Sequence, residues 1–112
     1  MLSKDKRLNL KKDFKWVAAG KKVDTKFTRL FLRTGDNTSA RLGIALSSEV
    51  FKKATQRNRA KRLVSAAFEA LYSRLSGDLN IIALPKQGIL NVKSSDVLLD
   101  LETALINEKN IN

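Results

Sequence analysis

The feature that most constrains how this chain can fold is the run KKATQRNRAKR at residues 52–62. It carries six cations and no acid, and it leads straight into an apolar helical stripe. That stripe is Ala60, Val64, Ala67/Phe68, Leu71 and Leu75, at steps of three and four. Carried backwards, the same face holds Arg57 and then Lys53. One helix, expected over about residues 54–75, therefore packs on a core at its C-terminal end and is cationic on every side in its first turns. Like charges one turn apart, Lys53 with Arg57 and Arg57 with Lys61, each destabilise a helix by roughly 0.2–0.5 kcal/mol. Cations near a helix N-terminus also oppose the macrodipole. No acid lies between Lys52 and Arg62 to form internal ion pairs. A bound polyanion reverses both penalties, so the segment predicts nucleic-acid binding.

The charge distribution points the same way. Residues 1–62 hold 18 Lys or Arg against 5 Asp or Glu, whereas residues 63–112 hold 4 against 6. A cationic half joined to a faintly acidic half suggests one face built for phosphates and a remainder that simply folds. The 112 residues suit one domain with one modest core, expected over 1–107, with residues 108–112 as a frayed C-terminal tail. No Cys and no His are present, which removes thiol and imidazole chemistry together. No carboxylate pair stands out as an acid/base or two-metal site, so no catalytic and no metal-ligating residue is expected in the protein. No stretch approaches the roughly 20 apolar residues of a membrane span. The opening MLSKDKRLNLKKDF has no apolar core of a secretory signal, so a cytoplasmic protein is expected. A membrane-surface helix would need large apolar residues opposite the cations of 52–62, and only Ala54 and Ala60 are there.

Along the chain, Asn9 is a candidate N-cap for a short helix ending at Gly20, with Leu10, Phe14 and Val17 on one face. KFTRLFLRT (26–34) alternates with period two. Thr28, Leu30, Leu32 and Thr34 point one way; Phe27, Arg29, Phe31 and Arg33 point the other. GDNTS (35–39) is turn chemistry, and ARLGIAL (40–46) is a second strand. The two are expected to form an antiparallel hairpin. Ser47-Ser48 offers a helix start ahead of the long helix. LNIIALP (79–85) reads as a strand buried on both faces, and a last helix runs from Ser94-Ser95 to about residue 107 with Val97, Leu98, Leu101 and Leu105 as its core face. The order is α-β-β-α-β-α, a single-domain α+β sandwich with helices packed on a small sheet.

Single-stranded RNA wants a cationic groove with aromatic platforms, each stacked base contributing roughly 1–3 kcal/mol. The strand face Phe27-Arg29-Phe31-Arg33 interleaves both residue types. A buried face would not carry two arginines, and an ordinary solvent face would not carry two phenylalanines. Phe14 suits a core position and a groove position equally, and Trp16 lies off its helix's apolar stripe. Lys15 and Arg7 are phosphate-contact candidates on charge grounds.

At RNRAKRLVSAAF (57–68) the chain resembles the bacterial ribonuclease P protein component, whose signature is an RNR, then Lys-Arg, then an apolar helix ending near Phe. Arg7-Leu8 followed by Asp13-Phe14, the strand LGIALS (42–47) and the strand IIALP (81–85) fall in the family's order, so the likeness covers about residues 7–105. It implies a ribonuclease P protein-like fold, related to the ribosomal protein S5 second-domain-like fold, with a mainly antiparallel sheet and a left-handed βαβ crossover that displays the RNR region. It implies a monomer that joins a catalytic RNA subunit and assists removal of the 5′ leader from precursor tRNA, with Mg2+ held mainly by the RNA. By that likeness Arg57, Asn58, Arg59, Lys61 and Arg62 bind the RNA subunit, and Lys52 and Lys53 are expected to join them as cations of the same segment. The likeness places the leader in a cleft between the first helix and the sheet, with Phe14 as the first-helix aromatic. The strand face Phe27, Arg29, Phe31 and Arg33, and Arg7 and Lys15 on charge grounds, are expected to bind the leader there.

The chain departs from the family pattern in three places. Ala18 or a one-residue deletion stands where a second cleft aromatic is common, Ser65 where a third basic residue follows the signature, and SEVFKK (48–53) replaces a basic, glycine-containing loop. From the residues alone, a ribosomal protein or assembly factor without a role in cleavage is the alternative.

Overall fold

The computed structural model describes residues 4–108. Helix α1 (Leu10–Ala18) starts at Asn9, whose side chain accepts a hydrogen bond from the Lys12 N–H at 3.3 Å. Strands β1 (Lys21–Asp24), β2 (Thr28–Thr34) and β3 (Arg41–Ile44) follow. The long helix α2 (Ala54–Leu71) continues into a 3-10 turn at Tyr72–Arg74. Strand β4 (Leu79–Pro85) and helix α3 (Ser94–Asn107) complete the chain. α2 begins at Lys53, whose backbone N–H is satisfied by the Gln56 side chain at 3.3 Å.

The sheet order is β1-β2-β4-β3. β2 pairs antiparallel with β1 and β4, while β3 runs parallel to β4. The expected hairpin between 26–34 and 40–46 therefore does not form, because β4 lies between them. The reason is visible in β4 itself: Leu79, Asn80, Ile81, Ile82 and Ala83 are all buried, so the strand needs a neighbour on each edge and cover on each face. Helix α2 then becomes the crossover between the parallel strands β3 and β4. Strand β1, which the hydropathy pattern did not reveal, has three exposed residues out of four. Ser47 and Ser48 do not start α2; the Ser47 hydroxyl instead accepts from the Glu49 N–H in a turn before the helix.

Two cores flank the sheet. On one face, Leu30, Leu32, Leu42, Ile81 and Ala83 pack against α2 and α3. Each such buried branched side chain contributes about 1.5–3 kcal/mol. Phe51, within the loop before α2 and without periodic neighbours in the sequence, is fully buried in this core. On the other face, α1 lays Val17, Leu10 and Phe14 over Ile82, Phe31 and Leu84. The predicted stripes of α2 and α3 are buried as expected, with two exceptions: Leu98 of α3 is half-buried, and Leu75 lies beyond α2 and is half-buried. Glu108, expected to begin the frayed tail, caps α3 and pairs with Lys21; residues 109–112 lie outside the described residues.

Candidate nucleic-acid interface

The basic segment occupies the loop before α2 and the first turns of that helix. Lys52, Lys53, Asn58, Arg59, Lys61 and Arg62 are exposed. Two of its arginines also brace the fold. Arg57, half-buried where the apolar stripe would continue, donates through Nη1 to the carbonyls of Phe51 at 2.8 Å and Lys52 at 3.4 Å. Arg59 donates to the Leu90 carbonyl at 3.2 Å and the Val92 carbonyl at 3.3 Å. With no carboxylate in the segment, both guanidinium groups find backbone oxygens.

Lys61 reaches around the edge of the sheet. It lines a small cavity of about 160 Å3 with Arg7, Leu10, Gly43 and Ser65. Arg7 is bridged to β3 beside Leu42, and the Leu8 N–H donates to the Leu42 carbonyl at 2.8 Å. Arg7 thus stands with the basic segment. Ser65, in place of a further cation, is buried in the same wall.

The second element is the sheet face under α1. The register brings Asp24 opposite Arg29 and Lys22 opposite Phe31; on the other edge of β2, Arg29 faces Leu84 and Phe31 faces Ile82. Phe14 meets Phe31 edge to face, with centroids 6.5 Å apart. The apolar floor continues through Leu84 and Ala45 into an open groove of about 470 Å3. Arg29 and Lys86 supply its cations, and the 47–50 loop forms its far wall through Ser47, Glu49 and Val50. Arg57 holds the continuation of that loop, so the basic helix and the groove share one wall.

The structure splits the predicted four-residue face. Arg29 lines the groove, Phe31 packs in the small core that adjoins it through Leu84 and Ala45, and exposed Lys15 lies on α1. Arg33 sits at the opposite end of β2, donating to the Trp16 carbonyl at 2.9 Å with its guanidinium 4.7 Å from the Trp16 ring centre. This gives Trp16 the partner that the sequence did not. Phe27 is a correction: it packs against the large core, not beside Phe31. A tight turn breaks the alternation ahead of β2. The Thr25 N–H donates to the Thr28 carbonyl at 2.8 Å, and the Lys26 and Phe27 N–H groups both donate to the Asp100 carboxylate at 3.0 Å.

Sequence reading missed Asp24 and Lys86. Arg29 Nε lies 3.0 Å and Lys86 Nζ 3.5 Å from the same Asp24 oxygen. The hydrogen bond from Arg29 holds the Asp24 carboxyl below its ordinary value of 3.8. Only the strand register brings these distant positions together, and β1 left no signal of its own. Among the described residues no group of three or more acids could hold a metal ion, and no helix is long and apolar enough to cross a membrane.

The geometry joins a cationic helix start to a cation-rimmed groove that adjoins the Phe14–Phe31 pair, and comparison with known proteins gives this arrangement a family. The family model described as Ribonuclease P matches residues 2–108. A ribonuclease P protein component from Nitrosococcus oceani is 36% identical over 91 residues, covering 80% of this chain and 76% of the relative. Another from Acinetobacter baylyi is 31% identical over 104 residues, covering 91% and 79%. Among solved structures, a Staphylococcus aureus RNase P protein mutant with defective mRNA degradation activity superposes with a TM-score of 0.85 at 23% identity, covering 96% of this chain and 92% of that one. The Thermotoga maritima RNase P protein in complex with 1-(4-fluorophenyl)-2-thiourea gives 0.77 at 25% identity, covering 87% and 94%. With the family model spanning nearly the whole chain and the relatives agreeing with it, this protein belongs to the ribonuclease P protein family.

Proposed function

We propose that this chain is the protein subunit of a bacterial ribonuclease P and assists the RNA subunit in removing the 5′ leader from precursor tRNA. The observation that carries the reading is the shared wall: the 47–52 loop borders the groove on one side and leads into the basic helix on the other. A protein so built can hold a catalytic RNA and a single-stranded leader side by side. In this reading Lys52, Lys53, Asn58, Lys61 and Arg62 contact the RNA subunit's phosphates, and Arg7 joins them through its place beside Lys61. Arg57 and Arg59 shape that surface through their carbonyl contacts. The leader lies over Phe14, Phe31 and Leu84, with Arg29 and Lys15 near its phosphates. Phe27 has no part in it, and Arg33 acts through Trp16.

The protein's task is electrostatic and positional. Cations between two polyanions lower their repulsion, and a held leader raises affinity for precursor over mature tRNA. With neither His nor Cys in the chain, hydrolysis and its divalent ions are assigned to the RNA. Cytoplasmic location follows from the same role.

The test is 5′-leader cleavage by a bacterial ribonuclease P RNA at low magnesium, with and without this protein. Strong stimulation, lost in a Lys61→Ala/Arg62→Ala double variant, is the expected result. Tight RNA binding without stimulation of any RNA subunit would instead make the chain a general RNA-binding protein.

A further inference from the structure

At the mouth of the groove two cations share one carboxylate. Asp24 lies directly across from Arg29 in the β1–β2 register, 3.0 Å from its Nε, and the same oxygen is 3.5 Å from Lys86 Nζ. Arg29 and Lys86 line the groove; Asp24 stands outside it on the edge strand, with its side chain 51% exposed.

The fold has little need of this carboxylate. The β1–β2 turn is held by Thr25 with Thr28 and by Asp100, and Lys86 Nζ has the Thr25 carbonyl at 2.8 Å as a second acceptor. Ion pairs this exposed add little stability. What the carboxylate does is occupy, with anionic oxygen, the donors that a phosphate would use.

We infer that Asp24 is a resident competitor for RNA phosphate at the groove mouth, a specificity-determining residue that keeps Arg29 and Lys86 from gripping RNA indiscriminately. An RNA already stacked on Phe14 and Phe31 presents its phosphates at high local concentration and displaces the carboxylate. An RNA without that stacking meets a mouth whose two cations are partly neutralised. The inference rests on the leader-groove reading for its biological meaning, but the competition itself can be measured separately.

The experiment compares the full-length protein with its Asp24→Asn variant for binding of an unstructured single-stranded RNA oligomer across a salt series. Asp36→Asn serves as a charge-matched control away from the groove. Asp24→Asn is expected to bind about 2–5-fold more tightly at low salt, with a salt slope steeper by about 0.7 for each further phosphate that the freed cations neutralise. The tighter binding should shrink in an Arg29→Gln background and vanish in an Arg29→Gln/Lys86→Gln background. Unchanged or weaker binding by Asp24→Asn overturns the inference, as does an equal increase in Asp36→Asn or an increase that survives Arg29→Gln/Lys86→Gln. If Asp24→Asn unfolds, Asp24→Glu, which reaches further over Arg29, must bind RNA no more tightly than wild type, and tighter binding there overturns it too. A second arm measures leader-bearing precursor against mature tRNA on the complex with the catalytic RNA. Loss of that preference in the wild type sinks the leader reading alone, while the oligomer arm still decides the role of Asp24.

Discussion

Phe14 and Phe31 meet edge to face with ring centroids 6.5 Å apart, and this contact joins α1 to the strand that floors the groove. Both rings are half-buried against the small core. Phe31→Ala is expected to weaken binding of leader-bearing precursor by roughly 5–100-fold, the equivalent of one lost stacking platform. Affinity for the RNA subunit should not change. Phe31→Leu separates stacking from packing: it retains most of the apolar volume, so precursor affinity should fall while the unfolding midpoint barely moves. Equal losses for both RNAs in Phe31→Leu would make Phe31 a packing residue only.

The arginines of the basic segment should behave differently from one another. Arg62 is exposed, whereas Arg57 is half-buried and bonded to the carbonyls of Phe51 and Lys52. Arg62→Ala is expected to weaken RNA-subunit binding and lower its salt slope by about 0.9 for each phosphate no longer neutralised, with stability intact. Arg57→Ala should also destabilise the fold, by about 1.5 kcal/mol for hydrogen bonds from a charged donor. It should loosen the groove wall as well, so leader and RNA-subunit affinities fall together. Denaturant unfolding beside the two binding assays distinguishes the variants; an unaltered unfolding midpoint in Arg57→Ala would show that its carbonyl bonds are dispensable.

The difference between those arginines marks where sequence reading reached its limit. Periodicity placed all three helices and the strand at 79–85, because an apolar stripe or a run buried on both faces is a local property. Strand partners are not local. The turn chemistry of 35–39 argued for a hairpin, yet the apolar character of 79–85 on both faces already demanded an interior strand, and that demand won. Phe27 shows the same limit at smaller scale. Its parity matched Phe31, but the Thr25–Thr28 turn, tied to Asp100 far along the chain, moved it into the other core. Arg57 was legible as a cation on an apolar stripe, but its carbonyl partners depend on the path of the preceding loop.

Tyr72 provides a pH probe, because it is the only tyrosine in the chain. Its hydroxyl donates to the Ala40 carbonyl at 2.6 Å, and the Lys6 ammonium lies 4.5 Å from its ring centre. Burial pushes the phenol above its ordinary 10.0, and the nearby charge of Asp5 adds to the shift. The folded state thus favours the neutral phenol. The stability this confers is complete below pH 10.0 and is lost as pH rises through the folded value. Phenolate absorbance should therefore titrate at higher pH in the native protein than in denaturant, and Tyr72→Phe should remove this contribution to alkaline destabilisation. Coincident native and denatured titrations would contradict it.

Gly20 controls how closely α1 can approach the sheet. Its N–H donates to the Val17 carbonyl at 2.9 Å as the helix ends. A Cβ at this position would collide with the Leu32 carbonyl oxygen and lie 2.9 Å from the Arg33 Cβ. A backbone oxygen within a paired strand cannot rotate aside, so α1 would have to lift from β2 and carry Phe14 away from Phe31. Gly20→Ala is expected to cost about 1–3 kcal/mol, the range for overpacking, and to weaken leader binding as the floor of the groove opens. Gly88 is the control, since an added Cβ there meets nothing within 4 Å, and Gly88→Ala should stay within about 0.5 kcal/mol of wild type. Thermal unfolding with precursor binding checks both variants. A Gly20→Ala protein as stable and as tight-binding as wild type would mean that α1 can shift along the sheet without disturbing the pair of rings beneath it.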